Sequence, residues 1–192
     1  PDPAEIAQWL QVQAQTLADL LAQGQFAQGE AQLSPILASY PGWGFGWKLQ
    51  AGFLTSMARF EPAMQAIRNA IGLLGDDAEL FNMAGIVFRE TGQIENAVAC
   101  LRKSCELDPK SPEAQNNLGG ALMMQADVNA ATNSFRRAVE LSPDYPEAWQ
   151  NLGNALLVQN QSSDAIPCHL RAVNLQPMRQ QALSMACLAM LQ

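Results

Sequence analysis

Basic and metal-binding side chains are scarce in this chain. Its 192 residues include 11 lysines and arginines against 18 aspartates and glutamates, a net charge of −7. Nucleic-acid affinity comes largely from cationic contacts to phosphate, so this balance argues against a general nucleic-acid binder. His169 is the only histidine, and Cys100, Cys105, Cys168 and Cys187 show no Cys-x-x-Cys spacing. A metal site is therefore not expected, and buried or half-buried free thiols are the better reading. No apolar run reaches the roughly 18 residues that a membrane-spanning helix needs. The start, Pro1-Asp2-Pro3, carries no basic-then-apolar leader. With free thiols, that absence points to a reducing compartment and a cytoplasmic location.

Catalytic patterns are missing too. There is no second histidine for a paired site and no Gly-x-Ser-x-Gly elbow. Gly119-Gly120 falls inside a predicted helix, not between a strand and a helix, so it is no phosphate loop. The expectation is a chain without an active site and without a cofactor.

What the chain does have is a period. From Ala148 to Pro177 runs a skeleton that reappears 34 residues upstream, from Ala114 to Pro143. Trp149 aligns with Gln115, Leu152 with Leu118, Gly153 with Gly119, Ala165 with Ala131, Ala172 with Ala138 and Pro177 with Pro143. A fixed period with matched small, large and proline positions marks a stacked-repeat architecture. These residues resemble the tetratricopeptide repeat, a helix-turn-helix unit whose pattern is Trp-x-x-Leu-Gly-x-x-Tyr, then Ala, Phe, Ala and Pro.

The same frame extends upstream. Phe81, Ala84, Gly85, Phe88, Gly92, Ala97, Leu101 and Pro109 form a third repeat. Gly92 sits at the turn between its helices, where a left-handed residue is needed. Trp47, Ala51, Leu54, Ala63, Ile67 and Ala70 form a divergent one, with Gln50 in the Leu slot and Gly75 in the Pro slot. The first frame keeps Leu20, Gly24, Leu33 and Pro41, and Pro35 inside its second helix predicts a kink or a shortened helix.

The expected architecture is all-α: a single solenoid over 1–192 with repeats at 10–43, 44–77, 78–111, 112–145 and 146–179, then an unpaired helix at 180–192. The resemblance implies a right-handed superhelix whose concave groove is lined mainly by first helices. The last stretch, QQALSMACLAMLQ, is apolar and uncharged. A terminal cap should be polar outside, so this segment predicts either a native polypeptide that continues or, less favoured, self-association through 180–192.

The resemblance also implies where a ligand lies. The two residues after each Trp slot face the groove in this family. Here they are Lys48-Leu49, Asn82-Met83, Asn116-Asn117, Gln150-Asn151 and Ser184-Met185, with Gly52, Ile86, Gly120 and Asn154 one turn on. An amide offers two donors and an acceptor, so a row of amides can hold an extended backbone. The candidate peptide-binding residues are Lys48, Asn82, Asn116, Asn117, Gln150, Asn151 and Asn154. AQNNLGGAL and AWQNLGNAL are similar to repeats of O-linked N-acetylglucosamine transferases, whose inner asparagine ladder holds polypeptides; Asn117 and Asn151 fall at that slot. The carboxylate clamp for chaperone tails is disfavoured, since only Lys48 matches it.

Three other features are weighed as structural. Tyr40 to Trp47 is rich in aromatics and is read as junction packing. His169 occupies an aromatic slot of a second helix and is read as packed between helices. Arg68, Arg102, Lys103, Arg136, Arg137 and Arg171 form a periodic basic stripe, read as a solvated face.

The function expected is a protein-interaction scaffold with a protein or peptide partner, no nucleic acid and no membrane. YPGWGFGWK and DDAELFNMAGIVFRETG look like repeat arrays of bacterial multidomain proteins. This implies an alternative: a substrate-recognition module of a larger glycosyltransferase or sulfotransferase.

Overall fold

The computed structural model describes residues 2–175, and all of their regular structure is helical. The helices are α1 (Pro3–Ala22), α2 (Phe26–Ser39), α3 (Gly44–Ser56), α4 (Phe60–Leu74), α5 (Ala78–Glu90), α6 (Ile94–Leu107), α7 (Pro112–Met124), α8 (Val128–Leu141), α9 (Pro146–Val158) and α10 (Ser162–Asn174). Pro177 and the segment 180–192, where an eleventh helix is expected, lie outside the described residues. Pro35 does not shorten its helix: α2 runs through it to Ser39.

Short acceptors and prolines set the helix starts. Asp2, Asp77, Ser111 and Asp127 each accept a hydrogen bond from a backbone N–H in the first turn of the helix that follows. Prolines open α1, α7 and α9, where the missing N–H has no intrahelical partner to lose.

The turns inside the helix pairs share one geometry. Gly24, Ala58, Gly92, Ala126 and Asn160 all have positive φ, between 55 and 76°. These positions are 34 residues apart. At each, the next residue donates its N–H to a carbonyl five residues back: Gln25 to Leu20, Arg59 to Leu54, Gln93 to Phe88, Asp127 to Leu122 and Gln161 to Leu156. That bond closes the first helix and reverses the chain.

The chain divides into two compact units, Pro1–Leu107 and Asp108–Gln192. In the first, α3 packs on α4 and α5 on α6, while α2 packs on α3 and α4 on α5. One core cluster joins Leu17, Leu20, Leu33, Leu37, Leu49 and Phe53. A second runs from Ala51 and Leu54 through Ala63 and Ile67 to Leu80 and Val87. In the second unit, α7 packs on α8, α8 on α9, and α9 on α10.

Close approach within a pair depends on one small residue. A Cβ at Gly119 would lie 2.5 Å from the Phe135 ring, and one at Gly153 would lie 2.6 Å from the His169 ring. Gly85 meets Leu101 in the same way. His169 therefore packs between helices, in the slot its aromatic equivalents occupy.

Two substitutions test these constraints. Ala126 is exposed and left-handed. Replacing it by Gly relieves a conformation costing an L-residue about 1–2 kcal/mol, partly offset by added freedom of the unfolded chain. The net expectation for Ala126→Gly is a stabilisation of about 0.5–1 kcal/mol in urea unfolding. Gly119→Ala should destabilise by about 1–2 kcal/mol although Ala is the better helix former, because overpacking against buried Phe135 outweighs propensity.

Candidate functional site

First helices one repeat apart put their early residues next to the start of the next first helix. The first residue after the Trp slot uses that proximity. Lys48 of α3 sends its Nζ to Asp77 Oδ2 at 2.9 Å and to Glu79 Oε2 at 2.7 Å, at the start of α5. In the second unit, Asn116 of α7 donates from Nδ2 to the Tyr145 hydroxyl at 3.3 Å, just before α9. Asn116 is buried. The family pattern puts both residues on an open groove face, whereas the structure engages both inside the chain. Asn82, at the same slot of α5, is half-buried.

The second residue after the Trp slot divides by chemistry. Leu49 and Met83 are buried in the apolar cores of the first unit. Asn117 and Asn151 in the second unit are half-buried. Asn151 donates to Asn116 Oδ1 at 3.0 Å. Asn151, Asn116 and Tyr145 thus form one chain of hydrogen bonds across α7 and the start of α9. Burial, reinforced by the nearby carboxylates of Glu113 and Glu147, raises the Tyr145 pKa above its ordinary value, with the Asn116 bond opposing. Tyr145 is accordingly a neutral hydroxyl at physiological pH. Gln150 and Asn154 on α9 are exposed.

The first unit presents a different surface. A cavity of about 540 Å³ opens between α1 and α3, lined by Leu10, Gln11, Gln15, Ala18, Trp43 and Phe45 among others. Phe45 is 40% exposed. The aromatic stretch from Tyr40 to Trp47, which runs into α3, therefore has two roles. Tyr40 packs on Trp9, with ring centroids 5.9 Å apart. Trp47 donates its indole N–H to the Pro41 carbonyl at 2.8 Å, as Trp149 does to Pro143 at 2.9 Å. Trp43 and Phe45 face the cavity. Sequence periodicity alone does not separate these roles, because both fall in one short segment.

Much of the basic stripe is paired. Lys103 meets Asp76 at 3.2 Å, Arg137 meets Glu140 at 3.1 Å and Arg171 meets Asp144 at 3.2 Å. No helix among the described residues is long and apolar enough to cross a membrane.

The Lys48 tie sets a pH dependence. For Lys48, burial opposes the charge, but the bonds to Glu79 and Asp77 outweigh it and the pKa is raised. For Asp77, burial favours the neutral acid, but the bonds from Lys48 and the Leu80 N–H outweigh it and the pKa is lowered. The Asp77 contribution is present above the unfolded carboxylate pKa of about 4 and is lost as pH falls through the lower folded value. The Lys48 contribution is present below the unfolded pKa of about 10.4 and is lost as pH rises through the higher folded value. Asp77→Asn keeps a cap and loses the ion pair. It should cost about 1–2 kcal/mol in urea unfolding at pH 7. The gap to the parent should shrink below about pH 4 and above about pH 10.

Comparison with known proteins agrees with the all-helical repeat fold. A family profile described as TPR repeat matches residues 85–126 and 127–160. No curated protein sequence matches the chain. Among solved structures, TTC0263, a thermophilic TPR protein in Thermus thermophilus, superposes with a TM-score of 0.74 at 16% identity, over 95% of this chain and 99% of that one. MamA, residues 41 to the end, from Desulfovibrio magneticus RS-1 gives 0.73 at 15% identity, over 88% and 95%. YrrB, a TPR protein with an unusual peptide-binding site, gives 0.66 at 18% identity, over 91% and 90%. At such identities the structural likeness speaks for the fold. Residues 85–160 thus match the TPR repeat, and the chain shares the fold of solved TPR proteins.

Proposed function

We propose that this chain is an interaction scaffold that receives an extended peptide or partner segment on its first-helix faces. The observation that carries the proposal is the cavity between α1 and α3. It is about 540 Å³, mostly apolar, and edged by the amides of Gln11 and Gln15. An apolar cleft with a few placed polar groups is the usual form of a site that takes a side chain and its adjoining backbone. The peptide-binding site named for YrrB, a protein of the same fold, supports this reading.

In the second unit the corresponding contacts are Asn117, Gln150, Asn151 and Asn154. Their amides can pair with a backbone N–H or C=O of any sequence. Asn82 is offered by α5 in the first unit. Lys48 and Asn116 serve one step back, holding Asp77 and Tyr145 at the starts of α5 and α9.

A random peptide library displayed on phage and selected on the full chain tests the proposal. Selected peptides should lose at least about tenfold in affinity to Phe45→Ala, or to Gln150→Ala/Asn151→Ala/Asn154→Ala, with helicity by circular dichroism unchanged. Affinity unchanged by both sets would overturn the assignment of the first-helix faces.

A further inference from the structure

Gln50 stands where the repeat pattern has leucine, the slot filled by Leu118 and Leu152 in later repeats. It is 9% exposed, and its Oε1 is buried with no hydrogen-bond donor. A buried carbonyl left unpaired costs about 1–3 kcal/mol, and leucine in the same place would carry no such cost. Few such groups persist in native proteins without a reason.

The surroundings of Gln50 supply one. It lines two cavities together with Trp47: one of about 520 Å³ with α4, and one of about 310 Å³ with α2. Glu61, Gln65 and Asn69 of α4 edge the larger cavity. Gln65 donates to Asn69 Oδ1 at 3.1 Å, which fixes those two amides against each other. The Trp47 indole N–H is already given to Pro41, so the ring is held in place and its N–H is not spare. The lining residues thus include a carboxylate, an aromatic ring and Gln50, whose carbonyl is buried and unpaired, and no lysine or arginine.

We infer that this cleft receives the guanidinium of an arginine side chain on a partner protein. A guanidinium has five donors and no acceptor, so it satisfies a buried carbonyl and a carboxylate together. Its flat cation also stacks on an aromatic face, which a compact ammonium does less well. A partner rich in basic residues is complementary to a chain of net charge −7. The cleft is separate from the α1–α3 cavity, and the two share no lining residue.

The test is a titration of the full chain with acetyl-Gly-Gly-Arg-Gly-Gly-amide, followed by NMR at the Trp47 indole and Gln50 amide signals. Matched peptides carry citrulline or glutamate in place of arginine. The arginine peptide should bind saturably. Citrulline, glutamate and the Glu61→Gln variant should each weaken binding at least about tenfold. Gln50→Leu should abolish binding while raising the urea midpoint. Absence of saturable binding up to about 10 mM would overturn the inference. So would equal binding of the citrulline or glutamate peptide, or unchanged affinity in either variant. Loss of binding to the phage-selected peptides through Phe45→Ala leaves this outcome untouched, so the two sites fail separately.

Discussion

A left-handed residue every 34 positions is the constraint on which each helix pair depends. At Gly24, Ala58, Gly92, Ala126 and Asn160 the backbone leaves the right-handed region for one residue, and the next N–H bonds five residues back. That single reversal brings the second helix antiparallel to the first at close range. Only then can Gly119 lie against Phe135, or Gly153 against His169. The small residue and the ring are useful to each other because the turn has already chosen the register. The period is therefore a property of the reversal as much as of the packing it permits.

This explains which parts of the fold were legible from residues alone. Leu118, Gly119, Ala131 and Ala138 announce the pair because packing allows few alternatives at those slots. Gly92 announces the turn because glycine is the residue freest to be left-handed. Ala58 and Ala126 announce nothing, since alanine ordinarily marks helix interior. They take the same φ because the flanking helices over-determine the turn. Pro35 does not end its helix: its local cost is outweighed by the packing of α2 through Leu33 and Leu37, so the helix continues to Ser39.

Site residues were less legible, for a related reason. Periodicity separates positions that must be apolar from positions that are free to be polar. It cannot say what a polar side chain reaches. Lys48 and Asn116 share a slot, and each reaches a residue 29 positions on, Asp77 or Tyr145. That contact lies across the repeat boundary, where no helical spacing rule applies. The cavity formed with Trp43 and Phe45 was hidden in the same way, because the opposing wall comes from α1.

The polar ties also shape what the exposed faces can do. Asn151 is pinned by Asn116, which is itself bonded to Tyr145. An amide held in one orientation before a ligand arrives gives up less conformational freedom on binding than a solvated one. Asn151 is thus ordered by the fold, while Gln150 and Asn154 beside it are exposed to solvent. Gln50 represents the opposite solution. It sits on the same kind of helix with its carbonyl buried and no donor, in a slot where the fold itself asks for leucine. Thr55 Oγ1 of the same helix is likewise buried without a partner. Of the two residues it is Gln50 that lines the cavities beside Trp47, and its carbonyl points to a donor supplied from outside.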